Sequence, residues 1–87
     1  MDIEKIREIN NSVIKHTCNE KEFRYVYEDG ISRYETLKRF FEIWTFKEAC
    51  FKQSGTGIDE FQSLDFFSCK KQMEHGFRDD YAYCIIY

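Results

Sequence analysis

Glu48 is the residue whose setting invites chemistry. At about 100° per residue, Leu37, Phe40, Phe41, Trp44 and Phe51 form one apolar helical stripe, and Glu48 falls in its middle. A carboxylate there is costly unless it is paired, protonated or bound to a cation. Lys47 lies on one edge of the stripe and Lys52 on the other. The plainest reading is an i,i+4 ion pair between Glu48 and Lys52. A second pair of carboxylates opens a more specific one. In MDIEKI, Asp2 and Glu4 project from one face of a short strand, with Cα atoms about 7 Å apart. Alone, they read as a solvated edge strand. If that strand packs beside the helix, Asp2, Glu4 and Glu48 can converge on one point. A few hard oxygen ligands suit Mg²⁺ that keeps its waters and shares a phosphate-bearing substrate. Two lysines beside such an ion suit a pyrophosphate.

These side chains need elements to carry them. The alternation in residues 1–6 predicts the strand. Asn10, Asn11 and Ser12 offer caps for a short helix through about His16, and Thr17 to Asn19 for a second helix reaching about Glu28. Asp29-Gly30 breaks it. A long helix is predicted from about Ser32 to Ser54, with Gly55 placed to stop it. Ile43, Phe46 and Cys50 give this helix a second apolar side, so cover on both sides is expected. LDFFSC (64–69) and YAYCIIY (81–87) have the composition of strands, with turn signals at His75-Gly76 and Asp79-Asp80. The order is strand, helices, strands: one α+β domain over residues 1–87, a small antiparallel sheet packed against a long helix.

Composition narrows the functional classes. The chain has 87 residues, 18% of them aromatic, and a net charge of −3 with scattered Lys and Arg. That balance argues against nucleic acid as the partner. A metal-dependent nuclease, which also uses acidic residues and a lysine, falls behind on the same ground. No apolar run approaches membrane-spanning length. Cys18, Cys50, Cys69 and Cys84 form no C-x-x-C pair, and His16 and His75 stand far apart, so a zinc site is not expected. The thiols read as reduced and mostly buried, in a cytoplasmic protein.

Two stretches resemble the signatures of 4′-phosphopantetheinyl transferases, the holo-acyl-carrier-protein synthase-like superfamily. MDIEKI resembles the first, G-[IV]-D-[IV]-E. WTFKEACFKQSGTGI resembles the second, W-[ST]-x-K-E-[AS]-x-x-K-x-x-G-x-G-[IL]. In that second stretch Trp44, Thr45, Lys47, Glu48, Ala49, Lys52, Gly55, Gly57 and Ile58 all fall in place. NEKEF between them is similar to the S/T-x-x-E-[FY] segment common in the family.

The resemblance implies Mg²⁺-dependent transfer of the phosphopantetheine arm of coenzyme A to a serine of an acyl or peptidyl carrier protein. It implies Asp2, Glu4 and Glu48 as metal ligands, and Glu48 as the group that orients or deprotonates the serine hydroxyl. Lys52 would neutralise the leaving phosphate, with Lys47 as a second phosphate contact. Gly55, Thr56 and Gly57 would let backbone approach the cofactor. Trp44 is expected to be a core anchor. The family includes small enzymes that oligomerise, with sites between protomers, and longer ones with two similar halves. Met1 stands where the family pattern has Gly-x, and few residues follow Gly57. The chain is therefore expected to be a shortened half-domain, active where a dimer, a trimer or a complementary half completes the cleft. The alternative is a catalytically inactive half-domain that binds coenzyme A, a carrier protein or another partner without turnover.

Overall fold

The computed structural model describes residues 1–54 and 64–87. The chain opens with strand β1 (Asp2–Lys5), followed by helices α1 (Asn11–Thr17), α2 (Glu20–Val26) and α3 (Arg33–Ser54). Strands β2 (Met73–Arg78) and β3 (Tyr81–Ile86) complete an antiparallel sheet of order β1-β3-β2. This is the α+β arrangement expected from the sequence. Asn10 caps α1 by accepting from the Ser12 N–H. Asn19 caps α2 in a reciprocal capping box with Glu22, and the Ser32 hydroxyl accepts from the Glu35 N–H at the start of α3.

α3 spans the molecule and is covered on both sides. Leu37, Phe40 and Phe41 join Ile6, Ile14, Val26 and Ala82 in one core cluster, which Trp44 packs against, its ring stacked on Phe40. Phe46, Ala49 and Cys50 join Cys84 in a second. The core-anchor reading of Trp44 agrees with this packing. Among the described residues no helix is long and apolar enough to cross a membrane.

Two expectations need correction. Residues 64–69 form a bend and turn, not a strand. Asp65 accepts from the Phe67 N–H and the Ser68 hydroxyl, a local bond set that competes with strand pairing. His75-Gly76 lies inside β2 and not in a turn. Gly76 stands opposite Tyr83, and a Cβ there would come within 3.2 Å of the Tyr83 hydroxyl; the ring fills the space a side chain would take. The turn at Asp79-Asp80 does form, with Asp79 at φ 54°, a conformation Asp tolerates.

Candidate functional site

β1 alternates as its sequence predicts. Asp2 is buried and Glu4 half-buried on the face toward α3, while Ile3 is 57% exposed on the other. Pairing sets Asp2 opposite Cys84 on the central strand. α3 crosses this corner with Glu48 and Lys52 one turn apart. Lys52 Nζ donates to Asp2 Oδ1 across 2.7 Å, so the ion pair that forms joins helix to strand. The other carboxylate oxygen, Asp2 Oδ2, is buried and has no hydrogen-bond partner among the described residues.

The titration behaviour follows from this layout. The Asp2 pKa is raised, chiefly by burial and further by the Glu4 charge, with the Lys52 hydrogen bond and charge pulling the other way. Burial also raises Glu48, then the charge of Asp2, with Lys52 partly offsetting both. Lys52 is raised, chiefly by its bond to Asp2. Three carboxylates and one ammonium thus share a single field with excess negative charge.

Glu4 brings a residue the sequence reading missed. Arg7 NH1 reaches Glu4 Oε2 at 3.2 Å, and its guanidinium lies over the Phe41 ring. The i,i+3 spacing of Glu4 and Arg7 was the only available signal.

Asp2, Glu4 and Glu48 therefore meet electrostatically, but not as a preformed ligand set. Among the described residues no three or more His, Cys, Asp or Glu side chains are arranged to hold a metal ion. Lys52 and Arg7 engage two of the three carboxylates. The donor chemistry nevertheless fits a hard divalent cation. All three groups offer carboxylate oxygens, one oxygen of Asp2 has no partner among the described residues, and burial, joined by the neighbouring carboxylate charges, raises the pKa of Asp2 and Glu48.

The structure sends Lys47 elsewhere. It is fully buried, donating to Glu22 Oε1 at 2.6 Å and to the Thr17 carbonyl at 2.7 Å. Glu22, equally buried, also accepts from the Asn19 N–H and, through Oε2, from the Phe66 N–H. This hub ties α1, α2, α3 and the 64–69 turn together. An NEKEF segment predicts the cap at Asn19 but gives no sign that Lys47 will seek Glu22. Gly55, Thr56 and Gly57 lie outside the described residues.

A family model described as the 4′-phosphopantetheinyl transferase superfamily matches residues 1–81 of the chain. No curated protein and no solved structure matches it significantly.

Proposed function

The chain belongs to the 4′-phosphopantetheinyl transferase superfamily, and we propose that it transfers 4′-phosphopantetheine from coenzyme A to a serine of an acyl or peptidyl carrier protein in a Mg²⁺-dependent reaction. The observation that carries this reading is the corner where Asp2 bonds Lys52 inside the field of Glu4 and Glu48.

Asp2, Glu4 and Glu48 would hold Mg²⁺, with the buried Asp2 Oδ2 as one donor. Bound there, the ion would neutralise the pyrophosphate of coenzyme A. Lys52 is on the exposed rim of the corner, able to leave Asp2 for a phosphate oxygen and to stabilise charge on departing adenosine 3′,5′-bisphosphate. Glu48, with its pKa raised, suits the acceptance of a proton from the serine hydroxyl as its oxygen attacks phosphorus. Arg7 positions Glu4. Lys47, buried against Glu22, supports the α3 packing instead of touching phosphate. A second copy of the chain, or a complementary half, would complete the cleft for coenzyme A.

The engagement of Asp2 by Lys52 and of Glu4 by Arg7 favours a second reading, in which the half-domain binds coenzyme A or a carrier protein without turnover. One assay separates the two. Coenzyme A- and Mg²⁺-dependent labelling of an apo carrier protein, lost in Glu48→Gln, supports transfer. Mg²⁺-dependent binding of coenzyme A by calorimetry, with no labelling at high protein concentration, supports binding alone.

A further inference from the structure

Three of the four cysteines gather in one place. Cys50 on α3 and Cys84 on β3 are buried in the same apolar cluster, and Cys69, half-buried in the segment before β2, packs against it. Cys50 and Cys69 line one cavity of about 210 Å³, with Asp65, Ser68 and Lys71 among its other walls. Neither the carboxylate corner nor the transfer chemistry uses these thiols.

We propose that this cavity is a thiol–disulfide exchange site for small organic disulfides, in which Cys69 is the entry thiol and Cys50 the resolving one. The order follows from exposure: Cys69 is accessible, whereas Cys50 stands at the buried wall with 2% of its surface exposed. The steps balance. The Cys69 thiolate attacks one sulfur of the small disulfide, that bond breaks, and the first small thiol leaves with the proton Cys69 gave up. The Cys50 thiolate then attacks the Cys69 sulfur of the mixed disulfide, that bond breaks, and the second small thiol leaves with the proton Cys50 gave up. Two protein thiols are oxidised, and one small disulfide is reduced to two thiols. Cys84, fully buried in the cluster and not on the cavity wall, and Cys18, in the other cluster, are spectators. The product would tie α3 to the turn segment that Glu22 also grips.

The test uses the folded, reduced chain with oxidised glutathione at neutral pH, followed by intact mass and peptide mapping. The expected course is a glutathionyl adduct on Cys69 that converts to a species two hydrogens lighter than the reduced chain, with peptides bridged between Cys50 and Cys69. In Cys50→Ala the adduct should persist, in Cys69→Ala neither product should form, and Cys84→Ala should behave as wild type. Circular dichroism checks that each variant folds, and the wild-type map decides the pairing regardless. A bridge to Cys84, a first adduct on any other cysteine, a wild-type adduct that never converts, or no reaction of the folded chain would overturn the proposal.

Discussion

Lys52 and Asp2, 50 residues apart, meet at 2.7 Å, and the lysine is half-exposed while the carboxylate is buried. The pair is asymmetric: water already solvates the cation, but Asp2 depends on it. Burial, with the Glu4 charge, still leaves the Asp2 pKa raised despite Lys52, so the bond does not fully compensate the carboxylate.

Lys52→Met should therefore lower stability at neutral pH, because it leaves the buried Asp2 carboxylate without the ammonium it depends on. The same substitution should lower carrier-protein labelling by about 10²- to 10³-fold if Lys52 stabilises the departing phosphate. The charge swap Asp2→Lys with Lys52→Asp should regain stability without regaining labelling. Urea denaturation beside the labelling assay reads both, and recovery of activity in the swap would rule out the assigned roles.

Glu48 gives a pH prediction. Burial and the Asp2 charge raise its folded pKa above the ordinary 4.5. A carboxyl with a raised folded pKa holds its proton more tightly in the folded state, so its contribution weakens as pH rises through the window above 4.5. Glu48→Gln should accordingly raise the thermal midpoint at neutral pH, with the gain fading once the solution is more acidic than the unfolded pKa. Asp2, also raised, contributes in the same sense.

Mg²⁺ should relieve the same repulsion. Millimolar Mg²⁺ is expected to raise the wild-type thermal midpoint at neutral pH by mass action on the folded state. Asp2→Asn and Glu48→Gln should blunt that response, whether or not the chain turns over. An equal Mg²⁺ response in wild type and both variants would show that the ion acts elsewhere.

Lys47→Met isolates the buried hub. It leaves the Glu22 carboxylate buried with its two backbone N–H donors but no Lys47 ammonium. Removing one partner of a buried pair costs about 3–5 kcal/mol, a large share of the 5–15 kcal/mol typical of a small domain. Adding Glu22→Gln should recover part of that loss, since the amide oxygen can still accept while the stranded charge is gone. The midpoint of urea unfolding measures both steps.

Asn19→Ala should cost about 1 kcal/mol through loss of the α2 cap, and Asn19→Ser much less. The same denaturation series would reveal any larger effect transmitted through Glu22.

Much of the site was legible before the fold. The alternation of Asp2, Ile3 and Glu4 fixes which face of β1 carries acid, and helical periodicity puts Glu48 and Lys52 one turn apart. These are short-range consequences of backbone geometry, whereas the Trp44–Ile58 motif was legible as a family resemblance. The local rules failed where two signals competed. LDFFSC has strand composition, but Asp65 offered its own backbone a closer bond set. Gly76 looked like a turn residue, yet its missing side chain makes room for Tyr83 across the sheet.

What the sequence by itself determined is the chemical inventory: three carboxylates and a lysine at spacings that fit one family, on a strand and a long helix. Only the tertiary structure decided the partners. The docking of α3 on the sheet gave Lys52 to Asp2 and Cys50 to the cluster of Cys69 and Cys84, and its packing against α2 gave Lys47 to Glu22. Such choices depend on strand register and helix rotation across tens of residues, and no local spacing encodes them: Lys52 had Glu48 one turn away on its own helix and took Asp2 instead.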